Sequence, residues 1–241
     1  MPNAGRVWNG GARREPELRA HCYQNTLLLL ADIGSNRQVF RRMLRGYTTS
    51  GEGAIWNRRM NRDWPAKHRE IVSRGWLQRN GISVEAGSCG ILTTFIKERF
   101  EEVLKMGTLV NSGLAIEGCN SHSAVANAVE ANKQVAMAYN AGGEFVGRQL
   151  IAIWEENHLV CFDVSSRKGT QNELEKAFAA LDFHLADHLG LAMERNDEGD
   201  AVSSLGCRDW DDDYAWKPLE IGAPARILRV EPACSSLQLS F

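Results

Sequence analysis

One cysteine and two histidines are the residues whose types and positions could support nucleophilic chemistry in this chain. Cys119 comes just before residues 121–132, an Ala-rich stretch that is typical of a helix. The free N–H groups at a helix N-terminus lower the pKa of a nearby thiol. His122 follows within one turn, and His158 lies on a predicted strand. These residues predict a thiol-dependent enzyme as an alternative hypothesis, whereas our main interpretation is that Cys119 is structural.

A second pair of histidines has a spacing that can ligate a metal. His184 and His188 are four residues apart in a predicted helix, so both rings lie on one side of it. The apolar stripe of the same helix consists of Leu174, Phe178, Leu181 and Leu185. Because His188 lies at the edge of this stripe, a hydrogen-bonded interface histidine is the expected outcome. We therefore predict no metal and no cofactor, with His184 and His188 as the alternative metal site.

Arginine is concentrated in the first third of the chain. Residues 1–80 contain 14 Arg and 1 Lys against 6 acids, so the net charge of −2 divides into +9 here and −11 in residues 81–241. Arginine forms paired hydrogen bonds with phosphate and carboxylate groups. The predicted binding residues are Arg41, Arg42, Arg45, Arg58, Arg59 and Arg62. Arg41 and Arg45 are four residues apart, as are Arg58 and Arg62, which places the two members of each pair on one helix face.

An acidic and aromatic stretch, residues 209–216, lies in the other part of the chain. It lacks the alternating ligands and central glycine of an EF-hand loop. Aromatic side chains between acids suit docking on an arginine-rich surface, either within this chain or on a partner. The sequence also lacks phosphate-binding loop, dinucleotide-binding and nucleophile-elbow motifs. We therefore predict a non-enzymatic binding module that contacts nucleic acid or an acidic protein surface.

Hydrophobic periodicity and turn residues predict the elements that must position these groups. Helices are predicted over 18–33, 35–45, 54–60, 65–80, 90–106, 121–132 and 171–189. Strands are predicted over 134–139, 144–154 and 158–164, with edge strands at 227–230 and 237–239. Short turns join the three central strands, which predicts an antiparallel meander over 133–165 with Val135 and Val160 inside. The predicted class is α+β, with a basic helical region at 1–106 and an acidic α+β region at 107–241.

Residues 107–164 have a recognisable order of features. Cys119 and a helix precede a hairpin with Ala141-Gly-Gly-Glu144, then Val146-Gly-Arg-Gln-Leu-Ile-Ala152 and a closing strand. This order resembles the C-terminal domain of PcfJ-like proteins of bacterial mobile elements, although the Val-Gly usual after the cysteine is missing. The resemblance implies a bacterial mobile-element or defence setting and no chemistry.

The apolar and cysteine content indicates a soluble protein of the cytoplasm. The apolar run 27–31 is far shorter than the roughly 20 residues that a membrane span requires, and no secretory signal is visible. The six cysteines are widely and irregularly spaced, which favours reduced thiols. We expect no membrane partner, and a larger complex remains an open alternative.

Overall fold

The structure is a computed structural model. It describes residues 43, 47, 52–76, 81–86, 90–97, 100–116, 118–154, 158–167, 171–193, 202, 204–206 and 227–231. These residues contain helices and one large mixed sheet, which confirms the α+β class. The predicted helix over 18–33, the predicted strand at 237–239 and the stretch 209–216 lie outside the described residues. So do Arg41, Arg42 and Arg45.

Eight strands form the sheet in the part of the chain that the structure describes. They are β1 (Gly81–Glu85), β2 (Ile91–Lys97), β3 (Lys133–Tyr139), β4 (Phe145–Trp154), β5 (His158–Cys161), β6 (Ser165–Ser166), β7 (Ala192–Met193) and β8 (Ile227–Glu231). Their order across the sheet is β7-β5-β4-β3-β2-β1-β8, with β6 paired to β4. Neighbouring strands are antiparallel except β5 and β7. The strand predicted at 227–230 is confirmed as an edge strand.

Five helices accompany the sheet within the described ranges. They are α1 (Glu52–Lys67), α2 (Arg69–Ser73), α3 (Phe100–Val110), α4 (Ser121–Val129) and α5 (Gln171–Leu189). Met43 and Tyr47 are also helical and buried. Tyr47 lies beyond the helix predicted over 35–45, so the predicted loop conformation at this residue is wrong. In contrast, α5 matches the predicted bounds, and Gly190 follows it with φ 66°, the left-handed conformation favoured after a helix end.

Both faces of the sheet are covered, which explains why its central strands are buried throughout. Ile151 and Leu159 belong to one core with α5, Trp64 and Trp76. Val135 and Val160, on the alternate positions of β3 and β5, belong to a second core with α3 and α4. The predicted meander and the interior positions of Val135 and Val160 are confirmed. Side chains alternate between faces along a strand, so each central strand contributes to both cores.

The helix predicted over 90–106 is wrong in its first half. Residues 91–97 form β2, which pairs with β1 and β3, and only the part from Phe100 onward is helical. Leu92 and Ile96 are four residues apart, a spacing that fits one face of a helix and one face of a strand equally well. Residues 91–97 form a strand because they pair with β1 on one side and with β3 on the other. The two strands before residue 106 therefore share a sheet with the strands after it.

The helix predicted to begin at Pro65 is also placed differently. Pro65 lies near the end of α1, which begins at Glu52, and α2 follows after His68. Proline is favoured in the first turn of a helix, where its missing N–H has no partner, but in the last turn of α1 it removes the N–H that would bond the carbonyl four residues earlier, which weakens the helix near its end. Trp64 is buried and stacks on His68 with ring centroids 4.2 Å apart, which fixes the end of α1.

Across the described ranges, the search for a helix with the length and apolarity required for a membrane crossing identified no candidate.

Candidate functional site

The candidate binding surface is the solvent side of α1. Arg59 and Arg62 have side chains that are 63% and 49% exposed. Both contact one carboxylate, that of Asp63, with Nε–O distances of 3.4 and 3.2 Å. The hydrogen bond from Arg62, supported by Arg59, lowers the pKa of Asp63, so this carboxylate stays ionised. Lys67 and Arg69 are exposed farther along the same part of the chain.

The opposite side of α1 is attached firmly to the centre of the fold. The Asn61 amide donates to the Val129 carbonyl at 3.0 Å, and its oxygen accepts from the Ala131 N–H at 2.7 Å. Asn61 and Trp64 are 6% exposed, so they form the inward side of the helix. Because these contacts fix the rotation of α1 about its axis, Arg59 and Arg62 are presented to solvent from a rigid element.

The segment that receives Asn61 joins α4 to β3, and further bonds converge on it. The Trp76 indole N–H donates to the Ala131 carbonyl at 2.8 Å, and the Gln134 amide donates to the Trp76 carbonyl at 3.2 Å. Residues 129–134 therefore tie α1, the turn that follows α2 and the sheet together. We call this segment the α4–β3 junction.

A completely buried ion pair lies within the junction. Glu130 and Lys133 are both 0% exposed and form a salt bridge. Burial lowers the pKa of Lys133, and the Glu130 carboxylate opposes that effect. Tyr47 also donates to Glu130, at 3.3 Å. A paired and hydrogen-bonded charge is the form in which ionisable groups are tolerated in an interior, and we assign this pair an architectural role.

A second buried polar cluster lies between the sheet and α5. Asp182 is 0% exposed and accepts a hydrogen bond from the Gln149 amide at 3.0 Å. Cys161 faces the same carboxylate. Burial raises the pKa of Asp182 to about 7, although the hydrogen bonds from Gln149 and Cys161 act in the opposite direction. Burial, followed by the nearby Asp182 carboxylate, raises the pKa of the Cys161 thiol. This thiol is consequently a poor nucleophile at neutral pH.

Sequence reasoning did not identify either buried cluster, although both leave a signal. Glu130 and Lys133 are the charged residues in the otherwise mostly apolar run 124–138. Asp182 lies four residues after Phe178, in line with the apolar stripe of α5. A charge at a position that the periodicity assigns to the core indicates a buried polar group.

The cysteine and histidines of the alternative thiol hypothesis lie at two ends of α4. Cys119 is exposed just before α4, and His122 is buried in its first turn. His158 pairs with Trp154 on β4. Two residues earlier on β4, Ala152 pairs with Lys133, the first residue of β3. This end of the sheet adjoins the C-terminal end of α4. His122 and Glu130 are eight residues apart, which corresponds to about 12 Å along a helix. The fold brings His122 near Cys119 and places His158 toward the other end.

The pair of histidines on α5 has the predicted arrangement on one side of the helix. The rings of His184 and His188 stack with centroids 6.1 Å apart. Partial burial, and then the charge of His188, lowers the pKa of His184. Among the residues whose placement is described, no group of three or more His, Cys, Asp or Glu side chains could hold a metal ion.

Comparison with known proteins gives no relative: no family model, curated protein or solved structure matches this chain.

Proposed function

We propose that this chain is a non-enzymatic binding module that contacts nucleic acid through the cationic side of α1 and the arginine-rich sequence before it. The observation that supports this proposal is the exposure of Arg59 and Arg62 on a helix whose other side is fixed by Asn61. A rigid helix with exposed guanidinium groups suits a phosphate backbone, because little conformational entropy is lost when the contacts form.

The charge of the surrounding sequence supports the same proposal. In α1 and α2 the cations are Arg58, Arg59, Arg62, Lys67 and Arg69, and the acids are Glu52, Asp63 and Glu70. Arg41, Arg42 and Arg45 add cations shortly before α1 in the sequence. Contacts of this type neutralise phosphates and release counterions, so binding would depend strongly on salt and only weakly on base sequence.

The test is a fluorescence anisotropy titration of the full chain with duplex and single-stranded oligonucleotides at several salt concentrations. If four to six phosphates are engaged, log affinity should fall against log salt with a slope of about −3 to −5. Replacing Arg59 and Arg62 by Glu should weaken binding and make the slope shallower by about 2, since each lost phosphate contact contributes about 0.9 on duplex.

The matched control reverses two exposed cations elsewhere, Arg167→Glu with Lys176→Glu. This control changes the net charge by the same amount and should keep most of the affinity. Equal losses in both double variants would indicate a general charge effect and would contradict a site on α1. If the folded wild-type protein binds no oligonucleotide at low salt, the basic sequence is better assigned to an acidic protein partner.

A further inference from the structure

One acidic residue lies within the cationic side of α1. Asp63 follows Arg59 by one helical turn and Arg62 by one residue, and both arginines bond to it. The Arg59 Nε donates to Oδ2 at 3.4 Å, and the Arg62 Nε donates to Oδ1 at 3.2 Å. Each carboxylate oxygen is therefore engaged by a different guanidinium group, so the carboxylate bridges the two cations.

The stability of α1 gives little reason for an acid at this position. In a helix, an ion pair in which the acid precedes the base by four residues is more favourable than the reverse order. Glu70 and Arg74 have the favourable order, but Arg59 precedes Asp63. Aspartate has a low helix propensity, and the helix dipole favours acids at the N-terminus, whereas Asp63 lies near the other end of α1. Exposed ion pairs also contribute little to stability.

The position of Asp63 restricts the anions that can use both arginines. A single small anion would contact Arg59 and Arg62 together in the space between them, where the Asp63 carboxylate already accepts from both. The hydrogen bond from Arg62 lowers the pKa of Asp63, so the carboxylate is ionised at neutral pH and repels such an anion. Phosphate and carboxylate ligands of this kind are therefore disfavoured at this place.

A chain of phosphates can approach the same arginines differently. Both contacts with Asp63 use Nε, and the Nη groups lie farther along each side chain than the bonded nitrogen. The Arg59 and Arg62 side chains are 63% and 49% exposed, so much of each faces solvent. Successive phosphates of a backbone can each meet one guanidinium group from outside, without entering the space that Asp63 occupies.

We propose that Asp63 sets the ligand selectivity of the cationic side of α1: it fills the anion position between Arg59 and Arg62, which disfavours single small anions and leaves the outer parts of both side chains to the successive phosphates of a nucleic-acid backbone. The inference rests on the proposed function, because it concerns which anions the same surface binds. Asp63 lowers the affinity for the backbone slightly, through its negative charge, and lowers the affinity for small anions much more.

Asp63→Asn tests this role, with Glu70→Gln as the matched control. Each variant removes one exposed carboxylate from an i,i+4 ion pair with arginine and makes the net charge more positive by one. Fluorescence anisotropy of the full chain measures the affinity for an oligonucleotide. Displacement of that oligonucleotide by pyrophosphate, at constant ionic strength, measures the affinity for a small anion. Far-UV circular dichroism verifies that both variants keep the helical content of the wild type.

The two ligands should respond unequally to Asp63→Asn. In water, removing one unit charge changes affinity about fourfold per ligand charge at roughly 5 Å and about twofold at roughly 10 Å. Pyrophosphate carries several charges and would enter the vacated position, so its affinity should rise about tenfold, whereas oligonucleotide affinity should rise about twofold. In Glu70→Gln, the ratio of the two affinities should equal that of the wild type.

The possible failures of the selectivity role and of the proposed function are distinguishable. An unchanged ratio of affinities in Asp63→Asn would overturn the role of Asp63 and leave the proposed function intact. The same change of ratio in both variants would indicate an effect of net charge and would also overturn it. If neither the wild type nor a variant binds oligonucleotide, the proposed function itself fails, and the selectivity role fails with it.

Discussion

Among the residues that the structure describes, Glu130 and Asp182 are carboxylates that are completely buried on opposite sides of the same sheet, and their surroundings differ. Glu130 faces the positive charge of Lys133 and accepts from Tyr47, Ser204 and two backbone N–H groups. Asp182 faces the Gln149 amide and the Cys161 thiol, both of which are neutral. The number and charge of the donors, and not burial alone, therefore decide how each carboxylate is accommodated.

The energetic cost of burying a carboxylate can therefore be offset in two ways. At Glu130 a counter-charge and several donors replace the lost hydration of an anion. At Asp182 burial raises the pKa to about 7, so that a large share of the molecules hold the proton near neutral pH. The Glu130 cluster contains its own counter-ion, whereas the Asp182 cluster should respond to pH.

The largest effect is expected from removing the counter-charge of Glu130. Lys133→Met would leave a buried carboxylate without its cation, and breaking a buried ion pair on one side typically costs about 3–5 kcal/mol. Urea unfolding at pH 7 measures this loss in the free energy of unfolding. The double variant Glu130→Gln with Lys133→Met should recover part of it, because neither partner is then charged. A loss below about 1 kcal/mol for Lys133→Met would mean that the remaining donors suffice without the cation.

Asp182→Asn should remove a pH dependence that the wild type has. The folded pKa of about 7 exceeds the ordinary value of 3.8, so the folded state binds the proton more tightly. Its contribution is complete below about pH 4 and is lost as pH rises through 7. At 1.36 kcal/mol per pH unit, the difference in unfolding free energy between wild type and variant should change by about 3–4 kcal/mol between pH 4 and pH 8.

The matched control for this pH experiment is Asp187→Asn. Asp187 is on the exposed side of the same helix, α5, so its replacement should retain the loss of stability that Asp182 causes between pH 4 and pH 8. Parallel pH profiles for wild type and Asp182→Asn would show that Asp182 is ionised throughout, and the contrast with Glu130 would then disappear.

The two described free thiols should differ in reactivity. Cys119 is exposed, and Cys161 is buried with a pKa raised by burial and by Asp182. At pH 8 an alkylating reagent should modify Cys119 at least about 100-fold faster than Cys161, because Cys161 must first become accessible by unfolding. Peptide mass spectrometry over time gives both rates. In denaturant the rates should become similar, and a fast Cys161 reaction in the folded protein would contradict its burial.

The smallest effect is expected from Cys119→Ser. A surface substitution of similar size usually changes the free energy of unfolding by no more than about 0.5 kcal/mol. Oligonucleotide affinity and the biological function of the protein should also be unchanged if Cys119 is structural. Complete loss of that function with normal folding would instead support the thiol-dependent enzyme that uses Cys119 with His122 or His158.

Hydrophobic periodicity predicted an element correctly where the pattern fits only one type of secondary structure. The alternation in 133–165 and the turn at Asn140–Gly143 predicted the meander, and the capped apolar stripe predicted α5. Residues 91–97 were predicted wrongly, because apolar residues that are four positions apart fit one face of a helix and one face of a strand alike. Their strand structure depends on β1 and β3, which local patterns do not reveal.

The candidate binding surface was only partly accessible to sequence reasoning. Arg58 and Arg59 lie in a helix, as the prediction over 54–60 requires, whereas Arg62 lies beyond the predicted end and is helical because the observed helix continues to Lys67. No local signal predicts that Asn61 fixes the orientation of this helix. Its hydrogen-bond partners, Val129 and Ala131, lie 68 and 70 positions later in the chain. Hydrogen bonds between distant segments depend on how the elements pack, and composition does not specify them.

The sequence was sufficient to predict the α+β class, the central meander, helix α5 and the concentration of arginine in the first third of the chain. Each of these follows from local spacing or from composition, which the chain carries before it folds. Folding brings Glu130 to Tyr47, Lys133 and Ser204, and Asp182 to Gln149 and Cys161, and no local pattern predicts either set of contacts. The physical reason is that the charge state of a buried group depends on the donors around it, and these donors come from segments that only folding brings together.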